Sequence, residues 1–267
     1  MDLQPSPVKA ASHALGIPVL QPRTLRNEEV QKDLAAQGAD VFVVVAYGLI
    51  LPPEVLDTPP LGCVNVHFSL LPLLRGAAPV QWALLEGHAK TGVSIMQMDP
   101  GLDTGPVLEM VEEPIRPDDD SGTLAQRLSA VGASVLADVI GRLEDIEPVP
   151  QPETGSTYAA KLSSEDARLD WALPARVIWN RVRAFAPKPG AWTTWNGKRL
   201  KILKARHMDE AAGEPGVVEL ADRNRTLRVG TGEGVLELVE VQPEGRSRMS
   251  AEEFVRGYRV RSGDRFG

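Results

Sequence analysis

Apolar residues recur along this chain with two different periods, and the change from one to the other divides it. Helical spacing predicts helices over residues 6–15, 27–37, 77–86 and 123–145. Asn27 is suited to cap the second and Gly38 to stop it. Between these helices lie apolar runs read as strands: a short one at 17–20, a continuous β-branched run at 40–46, and further strands at 62–67 and 91–98. The run at 40–46 suits a strand buried on both faces of a parallel sheet, and the alternation of strand and helix predicts βαβ units. Near residue 148 the pattern changes. Pro148, Pro150, Pro152, Gly155 and Ser156 mark a linker. After a helix at 174–184, short strands follow about every ten residues (192–195, 200–204, 216–220, 227–229 and 235–241), the pattern of a small β-barrel. A last short helix over 251–257 has Ser250 as its cap.

Two loops carry the candidate chemistry. One closes the strand at 62–67 and reads Asn65-Val-His67-Phe-Ser69-Leu-Leu-Pro72. The other follows the strand at 91–98 and reads Asp99-Pro-Gly101-Leu-Asp103-Thr-Gly105. If both strands run parallel, the loops meet at the carboxyl edge of the sheet, where open α/β folds bind ligands. Asn65 and His67 share a face by the period of two. An amide can donate to a developing oxyanion, an imidazole can carry a proton, and a carboxylate can orient and charge the imidazole. Taken singly, each has an ordinary structural role: a core histidine, a turn asparagine, a turn aspartate beside glycine. Together they fit transfer of an acyl-like group. Arg75-Gly-Ala-Ala-Pro79 either holds an anion at the start of a helix or simply leads into it. Asp118-Asp-Asp120 reads as a solvated helix start rather than a metal site, Cys63 as buried filler, and His13, His88 and His207 as surface residues.

Composition narrows the class. Hydrophobic residues at 43% and charged residues at 24% of 267 describe an ordinary globular protein, and runs such as 41–46 are too short to cross a bilayer. The single cysteine excludes an internal disulfide and a Cys-based zinc site, and a cytoplasmic location is expected. The net charge of −7 is unevenly spread: residues 1–150 carry −11 and residues 151–267 carry +4. The basic half either solubilises a small β domain or attracts phosphates, since screening limits the reach of distant charge to roughly 8–10 Å.

The motifs Asn-x-His-x-Ser-Leu-Leu-Pro, Arg-Gly-Ala-Ala-Pro, Met96-Gln-Met-Asp99 and Gly-Leu-Asp-Thr-Gly resemble those of the 10-formyltetrahydrofolate-dependent formyltransferases. The resemblance continues through Tyr158-Ala-Ala-Lys-Leu-Ser to Trp171, through Phe185-x-Pro187-x-Pro-Gly-Ala-Trp192, and through Gln242 to Tyr258, as in the branch of the family that acts on methionyl-tRNA. It implies an α/β fold: a doubly wound, Rossmann-like formyltransferase domain over 1–150, a linker at 151–168, and an OB-like, tRNA-binding β-barrel over 169–267. It implies Asn65, His67 and Asp103 as catalytic residues. Ser69, Leu70, Leu71 and Pro72 would form a folate-binding turn, and Val45, Tyr47, Gly48, Leu49, Met98 and Asp99 would line the pterin pocket. Arg75 would meet substrate. The implied formyl donor is 10-formyltetrahydrofolate, without a metal, and the implied partner is initiator methionyl-tRNA. A monomer with no membrane association is expected. A small-molecule amine as acceptor and an inactive tRNA-binding fragment are the alternative readings.

Two departures from the family pattern stand out. Leu73 and Leu74 occupy positions where the family usually has an Arg and an aromatic residue. The first residues, Met1 to Lys9, resemble family sequence from well inside the catalytic domain, so the first βαβ unit is expected to be absent and the doubly wound domain incomplete. Without that central strand, the segments at 17–20 and 41–46 would lie apart along an exposed apolar seam, and the chain would fold poorly or be inactive. A start codon assigned too far downstream would explain this. In-frame coding sequence for a strand, helix and strand upstream of Met1 is then expected, and its absence would contradict the explanation.

Overall fold

The computed structural model describes residues 5–48, 50–211 and 213–267. Helix α1 (Pro7–Ala14) is capped by Ser6, whose hydroxyl accepts from Lys9 N, and α2 (Glu28–Ala35) by Asn27, whose Oδ1 accepts from Glu29 N at 2.8 Å. The strand expected at 17–20 does not form. Among the described residues no strand pairs with that stretch, and an isolated strand has no ladder to hold it.

Strand β1 (Phe42–Val45) pairs in parallel with β2 (Cys63–His67), and the helix α3 (Pro53–Leu56) lies between them in sequence. After β2 come the two-residue β3 (Arg75–Gly76), α4 (Pro79–Leu85), β4 (Lys90–Gln97) and β5 (Val107–Pro114). The sheet has the order β1-β2-β4-β5, and both β2–β4 and β4–β5 are antiparallel. The expected parallel sheet is therefore a mixed one. A parallel crossover must carry the chain back to the start of the next strand. The seven residues of α4 rise only about 10 Å, and β4 enters from the end where β2 finished. Strand β1 is an edge, not a strand buried on both faces: Val43 and Val45 are 44% and 50% exposed, and Ile17 and Leu20, before α2, are exposed as well.

Helix α5 (Ser121–Gly141) covers the sheet, with Leu124, Leu128 and Val139 fully buried. It starts two residues before the expected 123, because Asp120 caps it by accepting from Thr123 N, and it ends at Gly141 rather than 145. A Cβ on Gly132 would lie 3.0 Å from Val66 Cγ1, so the glycine sets how closely α5 approaches β2. By length and composition α5 could also cross a membrane, but here its apolar stripe belongs to the core.

The second half contains β6 (Tyr158–Ala159), α6 (Ala175–Phe185), β7 (Ala191–Trp195), β8 (Lys198–Met208), β9 (Val218–Ala221), β10 (Thr226–Gly230), β11 (Val235–Pro243), β12 (Met249–Ser250) and α7 (Ala251–Tyr258). Strands β7-β8-β11-β10-β9 form an antiparallel sheet in that order, and β12 pairs with β11. The two halves share one core that runs through α6. Ser121 Oγ donates to Ala186 O at 2.6 Å. The buried Arg183, stacked 3.7 Å over Trp179, donates to Arg116 O, and burial lowers its pKa to about 10.

Asp119 braces the loop whose carbonyls Arg183 meets. Burial alone would raise its pKa, but the guanidinium of Arg127 (2.6 and 2.8 Å) and the N–H of Arg116 (2.7 Å) outweigh burial and hold the carboxyl below its ordinary range. A carboxyl depressed in this way adds stability at pH values above the usual carboxylate pKa of about 4, and that stability is lost as the pH falls through its lower folded value. Asp119→Ala leaves the half-buried Arg127 with Glu113 and Pro114 O as its remaining partners among the described residues, and losing hydrogen bonds to a charged group costs about 1.5–3 kcal/mol. Urea denaturation across a pH series should show that loss at neutral pH, with a shallower decline in acid than in the parent. Equal stability at neutral pH would remove Asp119 from the junction.

Candidate active site

Strand β2 is buried along its whole length, and its alternation turns Asn65 and His67 to one side. Both side chains are buried. The His67 ring is held at one nitrogen, with Nε2 lying 2.9 Å from Leu74 O. A carbonyl oxygen only accepts, so Nε2 carries the proton in the neutral ring and Nδ1 is left to accept or bind a second proton. Nδ1 lies 3.8 Å from Asp103 Oδ2, too long for a hydrogen bond, so the carboxylate faces the ring without bonding to it.

Asp103 sits in left-handed backbone at φ 53°. Its Oδ2 accepts from Gly76 N at 2.8 Å, and its Oδ1 lies 3.4 Å from the Asn65 Nδ2 that donates to it. One N–H of Asn65 is thereby directed at Asp103, and the other is free to serve a ligand. The loop before Asp103 is tied by Asp99, whose Oδ1 accepts from Gly101 N at 3.0 Å and from Thr104 Oγ1 at 2.7 Å. At its far end a Cβ on Gly105 would fall 1.9 Å from Gln97 O, so only glycine fits.

The loop that supplies Leu74 O and Gly76 N is held from the interdomain segment. β3 pairs in parallel with β6. Leu74 N donates to Thr157 Oγ1 at 2.8 Å, Arg75 N donates to Thr157 O at 2.9 Å, and Ala77 N donates to Ala159 O at 2.9 Å. The stretch that reads as a linker is thus a strap across the site. Proline and glycine content reported its irregular backbone and carried no sign of these bonds.

A cavity of about 510 Å³ opens onto Asn65, His67 and Asp103. Of the residues expected to line a pterin pocket, Val45, Tyr47, Gly48, Met98 and Asp99 do line it, and Leu49 lies outside the described residues. Ser69, Leu70, Leu71 and Pro72 do not line this cavity. Ser69 Oγ donates to Leu73 O and Ser69 O accepts from Ser94 Oγ, so this turn braces the loop behind His67. Arg75 is also turned away. Its guanidinium is buried and donates to Gln151 Oε1 at 2.6 and 3.0 Å. Gln151 and Thr157 are supporting residues outside the quoted motifs, and Gly76 lies within one that did not show its bond to Asp103. Cys63 packs beneath β1, its thiol pushed up to about 11 by burial and by Asp57.

An amide, an imidazole and a carboxylate at one wall of a cavity in this two-domain arrangement define a group-transfer enzyme. The chain belongs to the formyl transferase family: residues 2–140 match its formyl transferase domain and residues 161–259 its C-terminal domain. Over 263 residues it is 48% identical to a methionyl-tRNA formyltransferase of Roseobacter denitrificans, covering 98% of this chain and 85% of that protein, and it falls among the methionyl-tRNA formyltransferases. Its fold is similar to that of HypX from Aquifex aeolicus in complex with tetrahydrofolic acid (TM-score 0.63, 23% identity, 84% of this chain and 41% of that one). It is also similar to that of methionyl-tRNA formyltransferase from Clostridium thermocellum (TM-score 0.57, 19% identity, 68% of this chain and 79% of that one).

The Gly105 contact makes a direct prediction. Gly105→Ala forces the Asp103 loop away from β4 and should destabilise the fold by about 1–3 kcal/mol, the usual range for an overpacked site. Thermal denaturation measures it, and an unchanged melting temperature would mean that the loop yields freely.

Proposed function

We propose that this chain transfers the formyl group of 10-formyltetrahydrofolate to the amino group of methionyl-tRNA. The observation that carries the reading is the meeting of Asn65, His67 and Asp103 at one cavity wall, in a chain whose relatives carry that activity by name. The cavity has the size of a small-ligand site, and its lining is largely apolar around a few polar groups, which suits a flat heterocycle. Val45, Tyr47, Gly48, Met98 and Asp99 would hold the pterin. The donor would supply an activated formyl carbon, and the bond from that carbon to the folate nitrogen would break, the nitrogen leaving with the proton that the attacking amine loses to give tetrahydrofolate. Everything else falls to the side chains. As the methionyl amine attacks, negative charge grows on the formyl oxygen, and the free N–H of Asn65 is placed to donate to it. With Nε2 committed to Leu74 O, a positive His67 carries its second proton on Nδ1, where it also serves the oxyanion. Asp103 stabilises that positive ring and keeps Asn65 and the Gly76 backbone in register.

The catalytic domain we take as residues 1–150, Rossmann-like in kind, joined by 151–168 to an OB-like domain over 169–267. The antiparallel sheet β7-β8-β11-β10-β9 supports the second assignment. The excess of positive charge in residues 151–267, with Lys198, Arg199, Lys204 and Arg206 exposed along β8, supports docking of the acceptor RNA on that half. A cytoplasmic monomer is the matching assembly.

Formylation of methionyl-tRNA with 10-formyltetrahydrofolate tests the reading. His67→Ala should lower turnover by roughly 100- to 10,000-fold, the usual contribution of a positioned acid–base group, with tRNA binding retained. Unchanged turnover would remove His67 from the mechanism. Rising salt should weaken tRNA binding steeply, whereas salt-independent binding would take the basic half out of recognition.

A further inference from the structure

Gln151, in the interdomain strap, is bonded through its whole carboxamide. Its Nε2 donates to Asp103 O at 2.9 Å and to Gly105 O at 2.8 Å, and its Oε1 accepts from Arg75 Nε at 3.0 Å and Nη2 at 2.6 Å. Among the described residues, nothing else donates to either carbonyl. The amide has one workable orientation. Turned over, its oxygen would face two carbonyl oxygens and its N–H groups would meet a buried guanidinium. Arg75 therefore fixes the flip, and the amide fixes the loop. The loop needs fixing, because Asp103 lies at φ 53°, a left-handed region that strains a non-glycine residue.

We infer that Gln151 is a positioning residue for formyl transfer: it holds the Asp103 loop so that the carboxylate faces His67, and Arg75 orients it. The inference rests on the roles given above to Asp103 and His67. No other common side chain does this work. Glutamate has the shape but, ionised, no donor, and it adds a negative charge facing two carbonyls. Methionine has the length but no polar group. Asparagine is one carbon too short to span both carbonyls and Arg75.

The test uses Gln151→Met and Gln151→Glu, each in the full chain and in an Asp103→Asn background. Steady-state formylation should show kcat falling about 10- to 100-fold, the usual cost of removing a group that orients a reacting side chain, with KM for methionyl-tRNA little moved. In the Asp103→Asn background the same substitutions should cost almost nothing further, since no carboxylate remains to be placed. A purely structural role would multiply through both backgrounds, and that result, or full kcat in Gln151→Met, would overturn the inference. If Gln151→Glu does not fold, Gln151→Met carries the test. The His67 ring nitrogen resonances, measured in protein labelled with 15N-histidine, need no turnover. They should move in Gln151→Met as they do in Asp103→Asn, and unmoved resonances would overturn the positioning role. Absence of formylation by the parent chain would instead count against the proposed function and leave the resonances to decide the positioning.

Discussion

The site depends on a single carboxylate held in a left-handed turn. Asp103 meets the Gly76 backbone through Oδ2, Asn65 through Oδ1 and the His67 ring across 3.8 Å, while its own carbonyl is held by Gln151. Its partners come from three other stretches of chain: β2 (Asn65 and His67), β3 (Gly76) and the strap between domains (Gln151). The backbone at Asp103 would relax without these bonds, and the bonds would not form without that backbone. Local strain and tertiary contact are therefore coupled at the carboxylate that faces the His67 ring.

The strap explains how a two-domain chain can have one site. Residues 151–160 leave the catalytic half, run beside residues 74–78, and continue into α6, whose apolar face shares the core of both halves. Leu74 O, which selects the proton-bearing nitrogen of His67, is placed by a residue bonded at its N–H to Thr157. Formation of the catalytic geometry therefore requires the junction to be docked. The Ser121–Ala186 bond holds that docking at α5's first turn, beside the loop that Arg127 braces through Asp119.

Much of this was legible in the sequence. The period of two put Asn65 and His67 on one face, Gly101 and Gly105 framed Asp103 as a loop carboxylate, and caps such as Asn27 and Ser250 formed where they were expected. The misses have physical causes. The direction of β4 is set by the short path through α4 rather than by its own residues, so a buried β-branched run looks the same in either direction. Strand β5, with charges scattered among its apolar positions, gave no clean period. Residues 17–20 have strand propensity, but a strand exists only with a partner. The Ser69–Pro72 turn and Arg75 belong to recognisable motifs, yet they face inward and brace the loops, because a motif records which residues are needed and not which atoms they touch. Gln151 gave no signal at all, being a single amide among prolines.

The claim that the rest hangs on is that Leu74 O fixes the proton on His67 Nε2 and leaves Nδ1 to Asp103 and the cavity. The 15N chemical shifts of the histidine rings measure this directly, with His67 assigned from a His67→Gln spectrum. The neutral ring should show the shift of a protonated nitrogen at Nε2 and of a lone-pair nitrogen at Nδ1. A neutral His67 protonated at Nδ1 would contradict the account, because Nε2 would then face Leu74 O with no proton to donate.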